Sequence, residues 1–230
     1  MLSDVMEDYL KAIYVLQQET GPPVSTSRLA DHLDVTPPTV TSMMEKLAEK
    51  GFVTREKYKG VELTEEGETV ALEVVRHHRL LEAYLAEHLN YEWSEVHDEA
   101  DVLEHHISEE FERRVAEVLD EPAFDPHGDP IPGADLERVE DETEPLSNYE
   151  TGDRVVVCRV RDRDAEELSY LSSIGIVPGT EVQIEAVTPI GMYEISVEGE
   201  REHLPESIAE TVRVRIVSEL DEREEVEVSK

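Results

Sequence analysis

The stretch STSRLADHLDVTPPTVTSMMEKLAEKGFVTREKYKGVELT, residues 25–64, decides the fold of the N-terminal part. A hydroxyl residue at its start can cap a short helix. The Pro37-Pro38 pair then opens a second helix, at a position where a missing amide proton has no cost. Two β-rich runs follow Gly51 and predict a hairpin with its tip near residues 57–60. Together with an apolar helical pattern over residues 4–18, this order predicts a winged helix-turn-helix domain over residues 1–64.

The distribution of charge supports a DNA-binding role for this segment. The chain has 230 residues and a formal net charge of −35. Residues 1–60 hold seven Lys/Arg against nine Asp/Glu, a net of −2, so the remaining residues carry −33. A near-neutral segment in so acidic a chain indicates a surface that meets an anion, and nucleic acid is the obvious candidate.

The extreme acidity also predicts that the protein works in concentrated salt. Self-repulsion of this size opposes compaction in dilute buffer, whereas salt near 1 M shortens the screening length to about 3 Å. We therefore expect a halophile's protein. Cys158 is the only cysteine, no basic leader precedes the first helix, and no apolar run reaches membrane length. These features predict a cytoplasmic protein without a membrane partner.

The second helix of the quoted stretch is the predicted recognition helix. Hydroxyl and apolar side chains at its start suit base edges and thymine methyl groups in the major groove. The candidate base contacts are Thr36, Pro37, Pro38, Thr39, Thr41 and Ser42. The candidate phosphate contacts are Arg28, Lys46, Lys57 and Lys59. Lys46 and Lys50 have the alternative of pairing only with neighbouring glutamates.

The rest of the chain predicts an α+β multidomain protein. Residues 65–120 read as helical, with residues 94–119 as one continuous amphipathic stretch. Period-two alternation after Gly152 predicts a small β-barrel interrupted by one helix. The predicted segments are a winged helix at 1–64, a helical domain at 65–136, a linker at 137–150, a barrel at 151–218 and an acidic tail at 219–230.

Six of the nine histidines lie among carboxylates between residues 77 and 106. Imidazole and carboxylate together suit divalent ions such as Mn²⁺, Fe²⁺ and Zn²⁺. On a helix, His78 and Glu82 share a face, and Asp101, Glu104 and His105 share another. His97 lies one turn before Asp101 and can serve either group. His77 and His106 point away and are interpreted as surface or hydrogen-bonded residues.

Longer motifs resemble a known family. EDYLKAIY, VTPPTVTSMMEKLAEKGFV, RHHRLLEAYL, VHDEADVLEHHISEEFERR and HGDPIPG are similar to the diphtheria-toxin-repressor family of iron- and manganese-responsive regulators. The resemblance runs from residue 1 to about residue 217. It implies a winged helix, a helical dimerisation and metal-binding domain, and a C-terminal SH3-like (FeoA-like) barrel.

The resemblance also implies metal ligands and partners. A primary site would use Asp8, Asp101, Glu104 and His105. An ancillary site would use His78, Glu82 and His97, with Asp164 and Glu167 from the barrel. Two metal sites per subunit, a homodimer and a palindromic double-stranded DNA operator of metal-homeostasis genes are expected.

Departures from the family pattern affect the choice of metal. Iron-type members have methionine and cysteine where this chain has Asp8 and Asp101, and oxygen donors favour Mn(II) over Fe(II). Manganese-type members have a glutamate where Lys11 stands, which argues against their closely spaced metal pair. No enzyme motif of the HExxH, GxSxG or Walker type is present. A metal-independent winged-helix regulator, or an HD-type metal phosphohydrolase using His97-Asp98, stays open as an alternative to the metal-dependent repressor.

Overall fold

The structure is a computed structural model that describes residues 2–56, 59–137, 142–161 and 165–217. Its N-terminal part contains three helices followed by a hairpin. The bounds are α1 Asp4–Thr20, α2 Thr26–His32, α3 Pro37–Glu49, β1 Val53–Glu56 and β2 Gly60–Leu63. The two strands pair antiparallel, with Val53 opposite Leu63. This order confirms the predicted winged helix-turn-helix.

Local signals set the starts of α2 and α3. The Ser25 hydroxyl accepts a hydrogen bond from the Arg28 amide at 3.2 Å, which satisfies one of the free amides of the first turn. Pro37 occupies the first turn of α3, directly after Thr36. The apolar faces of the three helices bury a common core that includes Leu10, Ile13, Leu29, Val40, Met44 and Leu47. This shared core fixes how α3 lies against α1.

The acidic stretch after the hairpin forms three helices, α4 Glu65–Leu89, α5 Val96–Leu103 and α6 Glu109–Val118. The prediction of one continuous helix over residues 94–119 is therefore wrong. The chain turns after Leu103, whose carbonyl accepts a hydrogen bond from the His106 amide at 2.9 Å. Ser108 then begins α6, and its hydroxyl accepts a hydrogen bond from the Phe111 amide. A serine that caps a new helix competes with continuation of the old one.

The C-terminal part is a six-stranded antiparallel sheet with two short helices. The strands are β3 Glu144–Pro145, β4 Arg154–Val160, β5 Glu181–Val187, β6 Met192–Val197, β7 Glu200–Pro205 and β8 Val212–Ile216, and the helices are α7 Ala165–Ser173 and α8 Glu206–Ala209. The strand order is β3-β8-β4-β5-β6-β7. Alternate residues such as Val155, Val157 and Ile184 are fully buried. The predicted period-two strands and the interrupting helix are confirmed.

Two parts of this sheet differ from the sequence prediction. Strand β3 and a short 3-10 helix, Leu146–Asn148, lie inside the predicted linker, and Leu146 is buried in the core of the sheet. Strand β7, with the sequence EREHLP, pairs with β6 along its whole length although only Leu204 is buried. A polar edge strand has no apolar alternation, because its pairing comes from backbone hydrogen bonds.

The chain divides into two compact units. The first contains Met1–His78, Leu103–Glu112 and Pro132–Val139, and the second contains Arg79–Val102, Arg113–Ile131 and Glu140–Lys230. The winged helix and the turn after α5 thus belong to the first unit, and the sheet belongs to the second with the C-terminal half of α4. Among the described residues, no helix combines the length and the apolar character needed to cross a bilayer.

Candidate metal centres and DNA-binding surface

Three predicted ligands of the primary site come together in the first unit. Asp8 lies on α1, and Glu104 and His105 lie in the turn after α5. Each offers one ligand atom, and these atoms all lie within 4.8 Å of one another. The Nε2 atom of His105 is 2.8 Å from Asp8 Oδ1 and 3.4 Å from Glu104 Oε1. We call Asp8, Glu104 and His105 the first cluster.

The His105 ring lies between carboxylates on both sides. Its Nδ1 atom is 2.9 Å from Glu7 Oε2, so both ring nitrogens face acceptor oxygens. Burial lowers the pKa of the His105 imidazole, but the hydrogen bond to Glu7 and the charges of Glu104 and Asp8 outweigh burial and raise that pKa. Burial also raises the pKa of Asp8 against the opposing effect of His105. Without an ion, protons held on these groups offset part of the negative charge of the cluster.

Lys11 places a second positive charge beside Glu104. Its Nζ atom is 2.7 Å from Glu104 Oε2 and 2.9 Å from His78 Nδ1. His78 Nδ1 is itself 2.5 Å from the same Glu104 oxygen, and the Glu104 side chain is only 1% exposed. One carboxylate oxygen of Glu104 therefore faces the first cluster, while the other faces Lys11 and His78.

The remaining predicted ligands of the helical segment lie in the second unit. His97 Nδ1 is 3.2 Å from Glu82 Oε1, so two of the predicted ancillary ligands are in contact. On its other side, His97 Nε2 is 3.8 Å from Asp101 Oδ2. The third predicted ancillary ligand, His78, belongs to the first unit.

A second group of metal-ligating side chains lies wholly inside the second unit. Glu82, Asp125 and His127 are all buried, and their ligand atoms lie within 4.8 Å of one another. Asp125 Oδ1 accepts hydrogen bonds from the His127 and Asp129 amides, both at 2.9 Å. Among the described residues, Asp125 Oδ2 is buried and accepts no hydrogen bond. We call Glu82, Asp125 and His127 the second cluster.

The second cluster carries an electrostatic cost. Burial raises the pKa of Asp125 well above its ordinary value, and the nearby carboxylates of Glu82 and Asp129 raise it further against Arg79 and His127. A divalent cation would remove that cost, because it would replace the proton and offer Asp125 Oδ2 a closer partner than Arg79 Nε, which lies 3.7 Å away. This donor set fits a hard divalent ion.

Sequence reasoning missed Asp125 and His127 as candidate ligands. They lie more than forty residues after Glu82, so no helical spacing connects them to it. His127 lies in the motif HGDPIPG, which is one of those that resemble the family. The available signal was a histidine and two aspartates beside prolines in a loop near the end of the predicted helical domain.

The other residues singled out in the sequence differ in their burial and in what they contact. Asp164 lies outside the described residues, and Glu167 accepts a hydrogen bond from the Thr211 hydroxyl. His106 is exposed, in agreement with its predicted surface position. His77 is buried and fits the hydrogen-bonded alternative, because its Nδ1 atom is 3.1 Å from the Glu104 carbonyl oxygen. That contact ties α4 to the turn that carries the first cluster.

The start of α3 presents most of the predicted DNA contacts to solvent. The exposed residues are Thr36, Pro37, Pro38, Thr39, Ser42 and Lys46. Thr41 is half-buried and its hydroxyl donates to the Pro37 carbonyl at 3.0 Å, which leaves it less suited to read a base. Arg28 is exposed and pairs with Glu19 at 3.3 Å. At the hairpin tip Lys59 is exposed, and Lys57 lies outside the described residues.

Three domain models match this chain in order. The N-terminal DNA binding domain of iron dependent repressors matches residues 1–61, and their metal binding and dimerisation domain matches residues 64–133. The FeoA domain matches residues 144–216. These matches follow the order of the winged helix, the helical segment and the sheet.

Whole-chain relatives agree with the domain matches. The diphtheria toxin repressor of Corynebacterium efficiens is 35% identical over 230 residues, covering 96% of this chain and 99% of the relative. The iron-dependent repressor IdeR of Mycobacterium tuberculosis is 35% identical over 231 residues, covering 94% and 99%. The structure of a manganese-dependent transcriptional repressor in complex with manganese has a TM-score of 0.87 and 38% identity, covering 92% of this chain and 100% of that one. The chain therefore belongs to the diphtheria toxin repressor family of iron dependent repressors.

Proposed function

We propose that this chain is a transcriptional repressor that binds operator DNA when divalent metal ions occupy its two clusters, with Mn(II) or Fe(II) as the corepressor. Its targets would be metal-homeostasis genes. The relatives named above are iron- or manganese-dependent repressors, which supports this function. The regulatory role requires no catalytic group.

The observation that carries the proposal is the composition of the first cluster. Asp8 belongs to α1, and apolar residues of α1 pack into the core that also holds the recognition helix α3. Glu104 and His105 come from a turn 96 or more residues later in the chain. A bound divalent ion supplies positive charge that holds these carboxylates together. The position of α1, and with it the presentation of α3 to DNA, then depends on metal.

The donor atoms guide the choice of ion. Each cluster offers two carboxylates and one imidazole, and neither contains a sulfur donor. Oxygen-rich sets suit Mn(II) and related hard ions better than softer ones. We therefore favour Mn(II) over Fe(II) as the physiological corepressor.

Two metal sites per subunit are proposed. The first is the first cluster, with Asp101 as a further predicted ligand. For the second, the predicted set of His78, Glu82 and His97 stays a proposal, as do Asp164 and Glu167 from the barrel. The second cluster adds Asp125 and His127 to that set, and Glu82 is common to both.

The proposed assembly is a homodimer on a palindromic operator. The second unit exposes large apolar side chains on its helical part, namely Leu89, Val102, Val118 and Phe124. A second copy covering such side chains would remove them from water, and a two-fold dimer suits a two-fold DNA site. The proposed domain boundaries remain 1–64, 65–136, 137–150, 151–218 and 219–230, and the last of these segments lies outside the described residues.

The test is fluorescence anisotropy of labelled promoter DNA at about 2 M KCl, where the self-repulsion of an acidic protein is screened. Mn(II) and Fe(II) are titrated separately. The Asp8→Ala variant is compared with Asp4→Ala, which removes an exposed carboxylate from the same helix without touching the cluster. We expect metal-dependent binding in the wild type and in Asp4→Ala, and its loss in Asp8→Ala.

Equal DNA binding with and without metal would overturn the corepressor role. Repeating the titration in dilute buffer tests the proposed halophilic adaptation. Loss of compact structure in dilute buffer, followed by circular dichroism, is expected from the net charge of −35.

A further inference from the structure

The loop that supplies most of the second cluster lies directly on strand β4 of the C-terminal sheet. Residues 125–130 carry Asp125 and His127, two of the three members. The carbonyl oxygen of His127 accepts a hydrogen bond from the Val160 amide at 2.9 Å. The backbone of a cluster residue is therefore bonded to the last residue of β4.

Gly128 shows how close the loop approaches this strand. Its φ of +87° lies in the region that favours glycine, and a Cβ atom built on it would be 1.9 Å from the Cys158 carbonyl oxygen. That oxygen belongs to β4 backbone and cannot move aside as a flexible side-chain end can. No side chain fits at position 128 unless the loop moves away from the strand.

A shared carboxylate joins the loop to both neighbouring elements. Asp129 Oδ1 accepts hydrogen bonds from Arg79 at 2.9 Å and from Arg159 at 3.0 Å. Arg79 lies on α4 three residues before Glu82, the third member of the cluster, and Arg159 lies on β4. The side chain of Asp129 is 14% exposed, so these charged contacts are shielded from solvent.

Trp93 provides a further attachment. Its indole Nε1 donates to the Pro126 carbonyl at 2.8 Å, and the His127 ring is 2.9 Å from the Trp93 carbonyl oxygen. The Trp93 side chain also packs against the core of the C-terminal sheet. The ring of His127 is thus oriented by a residue that itself rests on the sheet.

We propose that β4 is a positioning strand for the second cluster, so that metal binding there and the docking of the C-terminal sheet on the loop strengthen each other. Gly128, Arg159 and the Val160 amide are the positioning groups. Coupling of two equilibria is reciprocal: what tightens docking tightens metal binding, and the reverse. The proposal rests on the proposed function, since it requires that the second cluster binds a divalent ion.

The experiment compares Gly128→Ala with Gly199→Ala in the full-length protein. Gly199 also has a positive φ, +90°, but a Cβ atom there meets nothing within 4 Å. Manganese chloride is titrated calorimetrically into each variant. We expect Gly128→Ala to bind the second-cluster ion about 10- to 100-fold more weakly, the usual cost of losing support for a ligand, and to keep the first-cluster affinity. Gly199→Ala should bind both ions as the wild type does.

A second pair of variants keeps the test valid if Gly128→Ala fails to fold. Arg159→Leu removes the positive charge that faces Asp129, whereas Arg159→Lys keeps a positive charge at that position. We expect weaker second-site binding in the first and partial recovery in the second. In the reverse direction, Mn(II) should slow hydrogen exchange of the Val160 amide in the wild type but not in Glu82→Gln.

The possible outcomes separate the two proposals. A wild type that takes up no ion at the second cluster overturns the proposed second site, and the positioning role with it. A wild type that binds this ion, together with unchanged affinity in Gly128→Ala and Arg159→Leu, overturns the positioning role alone. Equal loss in Gly199→Ala also overturns it, because backbone strain would then explain the effect.

Discussion

The two clusters use the same three donors in opposite surroundings. In the first cluster the Asp8 side chain is 45% exposed, and Lys11 lies against Glu104. In the second cluster the side chains of Glu82 and His127 are 0% exposed. The first cluster is partly open to solvent. The second lies away from water, where Glu82 and Asp129 raise the pKa of Asp125 against the opposing charges of Arg79 and His127. An ion bound as proposed would therefore exchange more readily at the first cluster than at the second.

The largest expected effect separates the clusters by their link to DNA. Because only the first cluster includes a residue of α1, Glu104→Gln should lower metal-dependent DNA affinity by about 100-fold or more. Glu82→Gln should lower it by roughly tenfold, since it acts only through the second ion. Anisotropy titrations with saturating Mn(II) measure both. The reverse ranking would mean that the buried cluster controls the recognition helix.

The next effect concerns pH at the second cluster. The raised pKa of Asp125 means that an entering ion must displace a proton, so Mn(II) affinity should fall by up to about tenfold per pH unit below that pKa. Calorimetry in buffers of different ionisation enthalpy measures the released proton. Asp125→Asn should remove the release. A wild type that releases no proton at this site would contradict the assignment.

The stability of the metal-free protein should change with pH in the opposite direction to its Mn(II) affinity. Asp125 holds its proton more tightly in the folded chain than in the unfolded chain, where the pKa is about 3.9. The stabilisation that the Asp125 proton gives to the folded chain is therefore complete below that value and is lost as pH rises through the raised pKa. Saturating Mn(II) should remove this loss, which thermal melts with and without metal would reveal.

A smaller effect tests the internal cation of the first cluster. Lys11→Met keeps the length of the side chain but leaves the buried Glu104 without its ammonium partner. We expect the metal-free protein to lose about 1.5–3 kcal/mol of unfolding free energy, the usual contribution of a hydrogen bond to a charged group, while His78 Nδ1 still contacts the same Glu104 oxygen. Mn(II) should restore most of it, because the ion supplies positive charge to the same carboxylate. If Lys11→Met melts as the wild type does without metal, the charge balance described for the first cluster is wrong.

The smallest effect lies outside both clusters. Lys46→Ala removes an exposed positive charge from α3 and should weaken binding to all DNA sequences alike, reducing the salt slope by about 1. Metal uptake should stay unchanged. Lys50→Ala, one residue beyond the end of α3, is the matched control. An altered Mn(II) affinity in Lys46→Ala would show that the DNA surface and the clusters are not separable in this way.

Much of the fold was predictable because its signals are local. The cap at Ser25, the proline start of α3 and the alternation of β4 each act within a few residues. The failures occurred where tertiary contacts decided the outcome. The pattern over residues 94–119 stays amphipathic through the break after Leu103, so periodicity alone could not show that Glu104 and His105 lie in a turn.

The candidate site, like the fold, was predictable where local chemistry decides and unpredictable where tertiary contacts decide. Residue chemistry alone determined that this chain offers carboxylates and imidazoles for a hard divalent ion, and that its near-neutral N-terminal segment suits DNA. Only the tertiary structure decided which donors meet. Asp8 reaches a turn 96 or more residues away, and Glu82 reaches a loop more than forty residues away. Contacts at such separations come from the packing of whole elements, which no local spacing encodes, whereas caps, turns and alternation depend on neighbours along the chain.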